Sequence, residues 1–217
     1  MFQVLIQYHY LLLQGFLTTL KLLGYIAIIG VPFGIILGIL GGRYSPGLAI
    51  VIRSGRFITK TIPVLVLLFW LHYPLQSLLG LVINPFWTTI LALSVVNLIA
   101  VASILSTELG LLPRAYRESG VTLGMSSGQI ISQIELPLLV RRCLPQVLLI
   151  QATMLEYTLL SSLISVPELF RVAQTINAMI YKPVEIYSLI VVFFLIILAP
   201  LHLFISWMQK KYVTDYA

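Results

Sequence analysis

Three polar side chains sit inside stretches that are otherwise apolar: Asn97 in "LALSVVNLIAVAS", and Glu156 and Thr158 in "LLIQATMLEYTLLSSLI". A carboxylate with two hydrogen-bonding groups at that depth suits recognition of a zwitterion, Glu156 meeting an ammonium group and Asn97 and Thr158 adding hydrogen bonds. The same residues also have structural readings. Glu156 can pair with a neighbouring subunit or stay protonated and hydrogen-bonded, and Asn97 and Thr158 can hold helices together.

Catalytic and metal chemistry find less support. "GMSSG", Gly124 to Gly128, matches G-x-S-x-G, but that nucleophile elbow needs a preceding strand and a histidine and acid in reach, and Ser126 is more simply a helix N-cap. His9, His72 and His202 are scattered without metal-ligand spacing, and Cys143 is the only cysteine, so no thiolate metal site or internal disulfide is expected. There is no P-loop G-x-x-x-x-G-K-[ST] either. Any ATP hydrolysis must come from a partner, and no cofactor is expected on this chain.

The elements that position these residues follow from composition. Of 217 residues, 59% are hydrophobic and 9% charged, and the mean hydropathy is +1.04, more apolar surface than a soluble core of this length can hide. A span needs about 20 apolar residues to cross roughly 30 Å of hydrocarbon. The expectation is an all-α polytopic transmembrane bundle, one domain over 1–217, with about five spans at 11–40, 57–73, 88–106, 144–166 and 186–208. The second is the least regular: Lys60 lies near its start, and "HYPLQSLLGLVINPFW" beyond it holds a tilted extension or an interfacial helix.

The start of the chain lacks a basic n-region, and its apolar run is too long for a signal peptide, so it reads as a retained first span. A net charge of +6 raises nucleic acid as a partner, yet the basic residues stand in short loops beside apolar runs, where lipid topology explains them. With the N-terminus outside, ten of the 13 Lys and Arg fall on the inner side and only Lys21, Arg171 and Lys182 on the outer. The positive-inside bias therefore predicts N-terminus out and C-terminus cytoplasmic. Gly30, Gly34, Gly38 and Gly42, four apart in the first span, let another backbone approach closely, either as ordinary helix packing or as a moving subunit interface.

The longest inner loop, 107–142, has helix punctuation of its own. Pro113 suits a first helical position, Gly124 a left-handed stop, and Ser126 with Gln129 a capping box; Ile130, Ile131 and Ile134 follow on one face before Pro137 ends the helix. Two short helices around a tight turn are expected. Their mixed charges suit a protein-docking surface, with folding back onto the bundle as the alternative.

The run Glu118, Ser119, Gly120, Gly124, Ile134, Leu136 and Pro137 resembles the EAA motif of ABC importer permeases, E-A-A-x3-G-x9-I-x-L-P, with Ser119 and Gly120 in place of the alanines. The stretch that follows, with "SVPEL" and "AQTINA", is similar to the polar amino-acid uptake subfamily; the resemblance covers about 15–211. It implies a permease subunit in the bacterial inner membrane, paired with itself or a related permease, with two ATPase subunits carrying ATP and Mg below and an extracytoplasmic solute-binding protein outside. It also implies that Glu118, Ser119, Gly120, Gly124, Ser126, Ile130, Ile134 and Pro137 couple the bundle to the ATPase.

The chain departs from the subfamily where substrate would pass. Glu156-Tyr157-Thr158-Leu159 replaces Lys-Asp-Thr-Ser, Lys60-Thr61-Ile62-Pro63 replaces Arg-Gly-Thr-Pro, and Ser103 and Ser106 stand where an acid and a base are usual. An ion-gradient-driven transporter using Glu156, or an importer of another small solute, are the alternative functions.

Overall fold

The computed structural model describes residues 2–212, apart from the side chains of residues 2, 114 and 212. Every regular element in that range is helical. Four helices are long and apolar enough to cross a membrane, and a bent helix pair makes up to five.

Helix α1 (Phe2–Arg43) is far longer than the bilayer is thick, about 63 Å at 1.5 Å per residue. It lies along α5 (Pro85–Leu111), the central helix, whose side chains are buried on nearly every face from Thr88 to Leu105. Lipid is as apolar as leucine, so apolar burial does not drive helices together in a membrane; close backbone approach and dispersion do. Gly34 marks the contact. A Cβ there would lie 2.8 Å from the Leu98 carbonyl oxygen and 2.8 Å from Val101 Cβ, so even alanine would push the helices apart. Gly30, Gly38 and Gly42 meet the same helix one turn above and successive turns below.

The expected second span is not one helix. α2 (Pro46–Thr61) is bent by 98° from the segment Val64–Leu79, which comprises α3 (Val64–His72) and a short α4 (Pro74–Leu79). Pro63 has no N–H and pushes Ile62 out of the helical region, to φ −88°, ψ 122°. The apolar run 57–73 thus straddles a bend that hydropathy cannot register.

The loop at 107–142 also departs from expectation. α6 (Arg114–Thr122) and α7 (Ser127–Gln129) flank the turn, but Pro137 does not end the second helix. A π-helical segment, Ile130–Glu135, leads straight into α8 (Leu136–Thr158). Its wider turn re-registers the backbone, with the Leu136 N–H donating to the Ile131 carbonyl, and Pro137 falls in the first turn of α8, where its missing N–H costs nothing. Pro113 likewise precedes α6 as its N-cap residue rather than opening it.

A 3₁₀ turn, Leu159–Ile164, ends the fourth span. The amphipathic α9 (Leu169–Ile180) follows, and then α10 (Pro183–Tyr212). Sequence reading did not foresee α9. Its N-cap Glu168, fully buried, accepts from the Phe170 and Arg171 N–H groups at 2.8 and 2.7 Å, and the Leu169 N–H donates to Thr19 of α1 at 3.2 Å. α10 turns Val191, Leu195, Ile196 and Leu203 outward, a surface that suits lipid.

Candidate functional site

Helix geometry places Arg56, Thr59 and Lys60 on one face of α2, at i, i+3 and i+4. Gly55 beside them brings α2 onto α5: a Cβ would come within 2.8 Å of Ile99. That close contact on one side leaves a cavity of about 370 Å³ on the other, walled by α2, α5 and α8. It follows α5 from Val96 to Glu108, about 18 Å of helix.

The α5 wall contributes Ser103, Thr107 and Glu108, and the α8 wall Gln146, Thr153 and Tyr157. The hydroxyls are spent as donors on their own helices: Ser103 to Ile99 O at 2.7 Å, Thr107 to Ser103 O at 2.8 Å and Thr153 to Leu149 O at 3.1 Å. Glu108 is held at both oxygens, by Gln146 Nε2 at 2.9 Å and by Arg142 Nε at 3.4 Å. Arg56 and Lys60 have no acidic partner among the described residues.

The three polar residues singled out within the spans do not converge here. Asn97 is fully buried; its amide exchanges hydrogen bonds with Gln151 at 3.2 and 3.1 Å, and its Nδ2 donates to Ile26 O. Thr158 is fully buried too, donating to Leu155 O at 2.6 Å. Glu156 is exposed on the outer side of α8. Sequence reading missed Arg56, Glu108, Gln146 and Tyr157. Lys60, an uncommon charge inside an apolar run, was the available signal.

The elbow at 113–137 is a separate feature. Gly124 has φ +73°, and the Met125 N–H reaches back to Gly120 O at 3.0 Å, a left-handed helix stop. Ser126 accepts from the Gln129 N–H at 3.3 Å while its own N–H donates to Gln129 Oε1 at 2.8 Å, which closes the capping box. Ile130 is buried against Gly120, where a Cβ would sit 2.8 Å from Ile130 Cγ1, and Ile134 is half-buried beside it. These isoleucines therefore face into the hairpin. Glu118 and Ser119 are exposed, and the apolar tip is Val121, 62% exposed, with Leu123, 78% exposed. Glu135 fastens the elbow to the end of α1 through a buried ion pair with Arg43.

The model of a family described as "Binding-protein-dependent transport system inner membrane component" matches residues 30–214. The chain belongs to that family. It is therefore a multi-pass inner-membrane permease of an ABC-type importer, not an enzyme, and the gradient-driven reading is set aside.

Among curated relatives, this permease is 27% identical over 209 residues to the glutamine transport system permease protein of Escherichia coli K12, covering 93% of this chain and 92% of that one. It is 26% identical over 175 residues to the arginine transport system permease protein of Bacillus subtilis, 80% of each. Its fold matches the crystal structure of an amino acid ABC transporter with histidines, at TM-score 0.85, 22% identity and coverage of 97% and 98%. An inward-facing methionine ABC transporter matches at TM-score 0.67, 17% identity and coverage of 93% and 98%. Among the described residues, no group of three or more His, Cys, Asp or Glu could hold a metal.

Proposed function

We propose that this single permease domain, residues 1–217, carries a polar amino acid across the bacterial inner membrane through the cavity between α2, α5 and α8. The observation that carries the reading is that polar side chains enter this cavity from all three walls of an otherwise apolar bundle. Relatives named for glutamine and arginine transport support the substrate class.

The N-terminus faces out and the elbow faces the cytoplasm, on the strength of the charge bias. There the elbow seats on a separate ATPase pair that binds ATP and Mg, and the exposed Val121 and Leu123 supply its apolar contact. Gly124, Gly120 and Ser126 shape the elbow, and Glu118 and Ser119 line its outer face. Ile130, Ile134 and Pro137 join it to α8, so that closure of the ATPase pair tilts α8 and the cavity wall with it. A solute-binding protein delivers substrate outside.

Glu156 points out of the chain from an apolar helix, where an ionised side chain costs about 2.5–3.5 kcal/mol against lipid. A second permease subunit, identical or related, covers it. The test is transport by the reconstituted complex: Ser103→Trp, which obstructs the cavity, abolishes uptake while ATPase association persists. Uptake at the wild-type rate would remove the cavity from the pathway.

A further inference from the structure

The cavity sorts its hydrogen-bonding groups by sign. Thr59 Oγ1 donates to Gly55 O at 2.9 Å, so it joins Ser103, Thr107 and Thr153 in turning only lone pairs toward the space. Glu108 has both oxygens occupied by Gln146 and Arg142. What remains to meet a ligand's negative charge is Arg56 and Lys60, one helical turn apart, about 6 Å along α2. Neither has an acidic partner among the described residues.

A cationic side chain entering this space meets two like charges and one acid already neutralised. A substrate with two carboxylates and one ammonium matches each wall: an anion for each of the two cations, and a donor for the hydroxyl lone pairs. We propose that the cavity selects an acidic amino acid, with Arg56 and Lys60 holding its carboxylates and the hydroxyls of Ser103 and Thr107 accepting from its ammonium group. This rests on the reading of the cavity as the substrate pathway, and narrows the substrate within it.

The test is equilibrium binding of radiolabelled L-glutamate, L-glutamine and L-arginine to the complex of permease and ATPase subunits, free of solute-binding protein, purified through a tag on this chain and held in nanodiscs at low salt. Glutamate binds about tenfold or more tightly than arginine, and the preference shrinks as salt rises. Lys60→Gln weakens glutamate about tenfold, and Lys60→Arg restores it. Arginine or glutamine binding as tightly as glutamate overturns the proposal and leaves the pathway standing. No saturable binding of any of the three overturns both. The wild-type comparison decides even where the Lys60→Gln complex fails to assemble.

Discussion

Arg43, the last residue of α1, donates its guanidinium to Glu135 at the end of the π-helical segment, 92 positions later, and both side chains are almost wholly buried. The pair ties the longest helix to the elbow at the point where the elbow enters α8. Removing either partner leaves a buried charge alone, at about 3–5 kcal/mol, whereas removing both leaves only an apolar gap. Arg43→Met and Glu135→Leu singly should each lower the thermal unfolding temperature, and the double variant should recover most of the loss. Equal, additive losses would mean the two side chains do not act as a pair.

Asn97 and Gln151 hold α5 and α8 together with two amide hydrogen bonds. Asn97→Ala strands the Gln151 amide in a dry interior, so we expect a stability loss of about 1–3 kcal/mol with substrate affinity unchanged. A change in affinity without loss of stability would return Asn97 to the substrate pathway.

At Gly34 the neighbour that a side chain would meet is backbone, which cannot swing aside. Gly34→Val should cost about 1–3 kcal/mol by denaturant or thermal melts in detergent. The same change at Gly24, where a Cβ meets nothing within 4 Å, should cost far less.

Leu123 stands almost free at the elbow tip. Leu123→Asp should leave the melting temperature near wild type yet strip the ATPase from the purified complex. Gly124→Val, by contrast, forces a β-branched residue into φ +73° and should cost at least the 1–2 kcal/mol of a left-handed non-glycine residue, as well as coupling. Retention of ATPase binding and transport in the Gly124 variant would remove the turn from the coupling path.

Glu168, between the last two spans, has its carboxyl pushed up to about 7 by burial, against two backbone N–H groups that pull it down. The folded state therefore holds a proton that the unfolded chain releases near its ordinary value. This contribution is fully present below about pH 4.5 and lost as pH rises through about 7. Hydrogen exchange of α9 should be faster at pH 8 than at pH 6 beyond the intrinsic chemical rate, and Glu168→Gln should flatten that difference.

The turn at Gly124 and the cap at Ser126 and Gln129 were legible in the sequence, because a left-handed glycine and a capping box are settled within a few positions of the chain. Pro137 was misread for a non-local reason. A proline ends an α-helix, but a π turn just before it absorbs the missing donor, and that turn is held in place by Arg43 on α1. The second span failed similarly: hydropathy counts apolar residues and does not sense direction, so 57–73 reads as continuous across a 98° bend.

The sequence by itself determined that the protein lives in lipid, roughly how many helices can cross it and where the elbow lies in the chain. Each of these depends on runs or spacings along the chain. Only the tertiary structure decided which way each polar side chain faces. α5 has no single apolar stripe, so its periodicity does not say which neighbour Asn97 or Ser103 will meet; α1 and α8 set its rotation by packing against it, turning Asn97 to Gln151 and Ser103 to the cavity. For a helix without an amphipathic stripe, azimuth is a property of its neighbours.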